Sequence, residues 1–177
     1  MGLRDAVKGW GSTAEERAEP LPCDDLVPDP KEILVRAVDI DAPRELVYRW
    51  LCQLRHAPYS YDWIDNLGRR SPQELTPGAD ELEPGQRMVA IFRLTHFEPG
   101  RQLTLESRSR TLGHVALTYL VMDRGEERSR LVLRVAWGPP RLPGARALLS
   151  VGDLVMARRQ LLNFKRLAER DAHRARV

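Results

Sequence analysis

Apolar residues recur at helical spacing over the last long segment of the chain, Leu148 to Ala168. At 100° per residue, Leu148, Val151, Leu154, Val155, Leu161 and Leu162 fall on one side, and no Gly or Pro interrupts the run after Gly152. The pattern predicts a long amphipathic helix that runs into a charged stretch, Glu169, Arg170, Asp171, Arg174 and Arg176. Arg158 and Lys165 sit inside the apolar stripe, and two readings of them are open. Either their long stems lie along apolar surface with the charged heads in water, or the helix covers a cavity and Arg158 faces a polar end of it.

Upstream the period changes. Ile33 to Ile40 (ILVRAVDI) is rich in β-branched residues and reads as a strand. Asp41-Ala42-Pro43 marks a helix start, with Asp41 as a cap and proline in the first turn, where its missing N–H costs nothing. Leu46, Val47, Trp50, Leu51 and Leu54 continue that helix on one face. Tyr61, Ile64 and Leu67 share a side of a short helix ended by Gly68. Residues 71 to 85 are loop-like, with Pro72, Pro77, Gly78, Pro84 and Gly85. Gln86 to Glu98 is either one bent strand or two strands joined by a tight bend. Gln102 to Ser107 alternates, with Leu103 and Leu105 on one face, and His114 to Met122 is a further strand. In Leu131 to Trp137, Leu131, Leu133, Val135 and Trp137 lie opposite Arg134. Pro139, Pro140, Pro143 and Gly144 end the sheet.

Consecutive strands with short turns pair as a meander, and the apolar face of such a sheet needs a cover. The expected architecture is α+β, a curved antiparallel sheet wrapped around the long C-terminal helix. Residues 1 to 30 read as an extended arm. Leu3, Val7 and Trp10 have helical spacing within it, four prolines follow (Pro20, Pro22, Pro28, Pro30), and two readings are open: Trp10 anchors the arm on the body, or the arm is partly disordered. Residues 31 to 172 form one domain and 173 to 177 a charged tail.

A chain of 177 residues, 42% hydrophobic and 30% charged, has the composition of a globular protein able to bury a real core. No uncharged apolar run reaches the ~18 residues of a membrane span, and the N-terminus has no secretory apolar region, so a cytoplasmic location is expected. The net charge is +3, with cations and anions interspersed, and Lys8, Lys31 and Lys165 are the only lysines. Without a basic cluster on one face, nucleic acid is not an expected partner. Cys23 and Cys52 have no metal-ligand spacing, and Cys52 on a helix reads as a buried thiol. His56, His96 and His114 lack HxxxH or HxH spacing, and there is no phosphate loop, nucleophile elbow or dinucleotide fingerprint. No metal and no cofactor are therefore expected. Asp62 and Asp65, at i and i+3, could do acid–base work if buried, or could cap the helix and offset its dipole. No nucleophile or second base completes a constellation around them, so no catalytic residue is assigned. One of them could pair with Arg158.

Several stretches carry a family resemblance. WGSTAEE and LPCDDLVPDP in the arm, RAVDIDAPRELVYRWLCQL at the first strand and helix, YSYDWIDNLGRRS after it and VMARRQLLNFKRLAER in the last helix span Trp10 to Arg170. Together with the order of elements they resemble a bacterial branch of the SRPBCC (START-like, polyketide-cyclase-like) superfamily, with YSYDWIDNL the most specific stretch. The chain departs from that pattern at His56-Ala57-Pro58, at Asn163 and in a shortened linker near Ala90 to Leu94. The resemblance implies the helix-grip fold and a cavity for a hydrophobic ligand between sheet and terminal helix. On that basis Tyr61, Phe92, Tyr119, Trp137, Leu154 and Arg158 are the expected ligand-binding residues, with Arg158 or Tyr61 orienting a polar end. The expected function is binding of a small hydrophobic or amphipathic ligand. The alternative is a polyketide cyclase/aromatase-like enzyme in which Asp62 or Tyr61 moves a proton, and a third reading is an interaction protein with a filled core. The oligomeric state is left open.

Overall fold

A computed structural model describes residues 9–89, 91–109, 113–139 and 145–176; in the last segment side chains are described at Gly152 and from Leu154 onward. Leu3 and Val7, and the side chains of Leu148 and Val151, lie outside the described residues. Six strands, β1 (Glu32–Ile40), β2 (Arg87–Met88), β3 (Phe92–Glu98), β4 (Gln102–Ser109), β5 (Gly113–Asp123) and β6 (Ser129–Trp137), form one antiparallel sheet in the order β1-β6-β5-β4-β3-β2. The helices are α1 (Ala14–Ala18), α2 (Pro22–Leu26), α3 (Arg44–Cys52), α4 (Asp62–Asp65) and α5 (Ala145–Arg176), with a 3-10 turn over Gln53–Arg55. This is the helix-grip arrangement, with the curved sheet packed around α5. A bulge between Leu94 and His96 in the β3–β4 ladder adds to the curvature. The run from Gln86 to Glu98 is two strands, and Val89, at φ 38°, helps make the bend between them.

Register puts Leu34, Val135 and Leu117 side by side across three strands of the concave face, and Tyr119 beside Leu133. The concave core continues through Ile40, Trp50, Leu51, Leu54, Met88, Leu94, Leu103, Leu105, Leu161 and Phe164. Trp50 meets Tyr59 edge-on at 6.0 Å, and Tyr59 meets Phe164 at 5.3 Å. The Trp50 indole N–H donates to Asp171 at 3.2 Å, which ties α3 to the last turns of α5.

The convex face is covered as well. Val35, Ala37, Ala116, Leu120, Val132 and Ala136 pack against Leu21, Cys23 and Val27 of the arm. Where the prolines suggested an extended path, the described part of the arm holds two one-turn helices, one with a capping box between Thr13 and Glu16 and one with Pro22 in its first turn. Arg130 pairs with Glu16 and Asp39 and donates to the Gly11 carbonyl, and Arg134 pairs with Asp24 and donates to the Arg17 carbonyl. Trp10 accepts the Ala37 N–H at 3.0 Å on the open edge of β1. A side chain at Gly11 would meet the Ala37 carbonyl oxygen at 2.1 Å, so only glycine allows this approach.

Four local expectations are corrected. Asp41 does not cap α3, whose N-cap is Pro43; its carboxylate accepts from Arg128 instead. The short helix expected to carry Tyr61, Ile64 and Leu67 on one side and to end at Gly68 is the single turn α4, which stops before Leu67, and Ile64 and Leu67 are both exposed. The buried face of α5 is centred near Phe164 and consists of Ala157, Gln160, Leu161, Leu167, Ala168 and Ala172 around it. At 3.6 residues per turn that face lies about a third of a turn from Arg158. Leu154 and Leu162 are only half-buried, and Val155 is exposed. Helix α5 also continues to Arg176, through the stretch expected to be a tail. Among the described residues no helix is long and apolar enough to cross a membrane.

Candidate functional site

The concave core is not filled throughout. Between the N-terminal half of α5 and the β5–β6 end of the sheet lies a cavity of about 360 Å³. Its walls are Val115, Leu117 and Tyr119 on β5, Leu133, Val135 and Trp137 on β6, Phe92 on β3, and Gly152, Met156, Ala157 and Gln160 on α5. Pro58, Ser60, Asp65 and Val89 close the side away from β6. Among the described α5 side chains, those lining the cavity are Gly152, Met156, Ala157 and Gln160, whereas Leu161 and Phe164 fill the next turns.

The wall segment 58–60 is held to α5 by two amides. Gln160 donates to the Pro58 carbonyl at 2.6 Å and accepts from the Tyr119 hydroxyl at 2.5 Å, and Asn163 donates to the Tyr59 carbonyl at 2.8 Å. Tyr59 adopts φ 57°, a left-handed conformation that a bulky residue holds only when its surroundings fix it. Ser60 donates to one Asp65 oxygen, while the other, Oδ1, is buried without a hydrogen-bond partner. The indole nitrogen of Trp137 is likewise buried and unpartnered. An otherwise apolar cavity thus has one unsatisfied carboxylate oxygen and one unsatisfied N–H donor in residues of its lining. Burial pushes the Asp65 carboxyl above the ordinary carboxylate value, against the lowering effect of its Ser60 and backbone hydrogen bonds, and the nearby charge of Asp62 adds to the rise.

Of the residues expected from sequence, Phe92, Tyr119 and Trp137 line this cavity and Tyr61, Leu154 and Arg158 do not. Arg158 is exposed and its guanidinium lies over the Trp10 ring at 5.4 Å, a contact with the arm. Lys165 likewise reaches outward, to the Asp39 carbonyl at 2.7 Å and to Glu169. Leu154 is half-buried outside the lining, on a helix turned by the third of a turn described above. Tyr61 lines a second, polar cleft of about 370 Å³ on the other side of the 59–62 segment, with Arg159 over its ring at 5.8 Å. The two acids also part company. Asp62 lies in that cleft with both oxygens accepting from Ser71, whereas Asp65 lines the cavity. Gln160 was not anticipated, although a polar residue between Ala157, Leu161 and Phe164 at helical spacing is the signal that could have found it. Cys23 and Cys52 are buried thiols, pushed by burial to about 11 and about 12. Among the described residues no group of three or more His, Cys, Asp and Glu is placed to hold a metal ion.

No protein-family model matches the chain, and no curated protein matches its sequence. Solved structures do. BexL, the di-domain ARO/CYC of the BE-7585A biosynthetic pathway, matches with a TM-score of 0.54 at 14% identity, over 78% of this chain and 46% of that one. The chain therefore spans about half of BexL. A Thermobifida fusca protein solved by NMR matches at 0.51 and 18% identity, over 76% of this chain and 94% of that one. Protein MLL2253 from Mesorhizobium loti matches at 0.51 and 15% identity, over 78% of this chain and 98% of that one. These likenesses are of fold, and with the topology above they identify the chain's architecture as the helix-grip fold.

Proposed function

We propose that the protein binds a small hydrophobic or amphipathic molecule in the cavity under α5. The supporting observation is the combination of apolar walls with two buried polar atoms that lack partners, Asp65 Oδ1 and Trp137 Nε1. A volume of about 360 Å³ falls within the range of small-molecule sites, in which apolar burial supplies affinity and a few polar groups fix orientation. An unsatisfied buried polar atom costs about 1–3 kcal/mol, which a ligand hydroxyl placed against Asp65 recovers. Orientation falls to Asp65 and Trp137, the roles first expected of Tyr61 and Arg158.

The test is calorimetric titration with 2-naphthol and with 2-methoxynaphthalene, which has the same ring and no donor. Saturable binding is expected for both, with the naphthol tighter by about tenfold or more, the worth of a hydrogen bond to a charged group. Ala157→Trp, which fills the space from α5, is expected to abolish both. Absence of saturable binding to wild type, or binding that Ala157→Trp leaves unchanged, removes the proposal.

A cyclase-type reaction in the same cavity is the second reading, and the observation favouring it is again Asp65. A carboxyl with a raised pKa in a residue of the cavity wall is suited to moving a proton. Turnover separates the two readings: both keep affinity for 2-methoxynaphthalene in Asp65→Asn, but only an enzyme turns over a substrate in wild type and loses that turnover in the variant.

A further inference from the structure

The polar cleft beyond the 59–62 segment has features that the apolar cavity does not explain. Arg159, Asn163 and Arg166 lie at i, i+4 and i+7 of α5, hence on one helix face, and Arg70 approaches from the loop after α4. All three arginines are exposed, and none forms an ion pair with a described carboxylate; the acids near the end of α5, Glu74 and Asp171, pair instead with Arg170 and Arg174. Among the described residues the one acid lining the cleft, Asp62, has both oxygens occupied by Ser71. Arg159 stacks on Tyr61, and Arg166 donates to Gln73 at 2.9 Å, which holds these side chains in the cleft rather than free in water. Three guanidinium groups and one carboxylate, Asp62, line about 370 Å³, so the net charge of the cleft favours an anion.

We propose that this cleft is a binding site for a phosphoryl group. A guanidinium offers up to five donors in a planar fork, and a phosphoryl dianion presents three acceptor oxygens, so three forks from different directions suit it better than a two-oxygen carboxylate. Trp63, 75% exposed at the cleft, provides a face for whatever the phosphoryl group is attached to. The site does not depend on occupancy of the apolar cavity.

The probes are phenyl phosphate and benzoate by calorimetry, and vesicles of phosphatidylcholine with and without phosphatidic acid by co-sedimentation. The two arms distinguish a soluble phosphate monoester from a lipid headgroup. Saturable binding is expected in at least one phosphate arm, with benzoate weaker, and Arg159→Gln or Arg166→Gln is expected to weaken it about tenfold or more. Both variants should keep the wild-type unfolding midpoint and 2-naphthol titration, so loss of the cleft is distinguishable from loss of the cavity. Arg108→Gln and Arg128→Gln, at exposed positions outside the cleft, serve as charge controls. No phosphate binding in either arm, benzoate binding as tightly as phosphate, or equal weakening by the control variants overturns the site.

Discussion

Asp65 pays for its position in the cavity wall with stability. Its carboxyl titrates above 3.8, the ordinary value, chiefly because burial disfavours the charged form. For an acid whose pKa is raised by folding, the native state holds more protons than the unfolded chain in the window between the two values. Stability therefore falls as pH rises through that window, and the loss persists above it. Asp65→Asn removes this titration and leaves an amide that still accepts from Ser60. Urea midpoints measured from about pH 3 upward should show the variant gaining on wild type as pH rises past the ordinary carboxylate value; a constant difference would mean that Asp65 is solvated. The sequence places Asp62 and Asp65 three residues apart and so on one face of a longer helix, but α4 is a single turn. Ser71 takes one acid and Ser60 the other, and neither serine partner is legible from spacing because both bonds depend on how the loops fold back.

At the scale of elements, α5 shows what hydrophobic periodicity captures and what it misses. The helix and its role as cover were legible, but the buried face was not. The apparent stripe gives weight to Leu154, Val155 and Leu162, whereas the real one uses Ala157, Ala168 and Ala172, whose small side chains let the helix approach its neighbours and contribute little to a hydrophobic pattern. Leu161→Ala is expected to cost about 2–5 kcal/mol and Phe164→Ala about 3–5 kcal/mol, while Leu154→Ala should cost less than either. Arg158→Met should cost no more than about 1 kcal/mol, the worth of an exposed cation–π contact with Trp10. Chemical denaturation of the four variants checks the face directly, and a Leu154→Ala loss equal to that of Leu161→Ala would restore the original stripe. The cavity itself left no mark in the hydrophobic pattern and was expected only from the family resemblance. Its wall residues Val115, Leu117, Leu133 and Val135 are the same types, in the same alternation, as those that pack solidly at Leu103 and Leu105.

The whole molecule is three layers, with the arm outside, the sheet in the middle and α5 with α3 inside. A sheet covered on both sides should read as apolar on both faces, and β6 does: Leu131, Leu133 and Val135 point in, and Val132 and Ala136 point out. Alternation drew attention to the inner set, with Arg134 on the opposite face. Arg134 is buried there, as is Arg130, because Asp24, Glu16 and the arm's carbonyls replace water around them. Removing residues 1–30 therefore does more than shorten a tail. It strips Leu21, Cys23 and Val27 from the outer core and re-exposes a face of small apolar residues flanked by two arginines that have lost partners. Burying Leu21 and Val27 alone contributes roughly 3–6 kcal/mol at about 1.5–3 kcal/mol per side chain, against a total stability of about 5–15 kcal/mol for a domain. The truncated protein is expected to lose a large part of its unfolding free energy in urea, or to fail to fold in one cooperative step. Glu16→Gln in the full chain should cost less than the deletion, because Arg130 keeps Asp39 and the Gly11 carbonyl. A truncated chain that unfolds cooperatively within about 1 kcal/mol of the full protein would show the outer layer to be dispensable, and the helix-grip body to be complete from β1 onward.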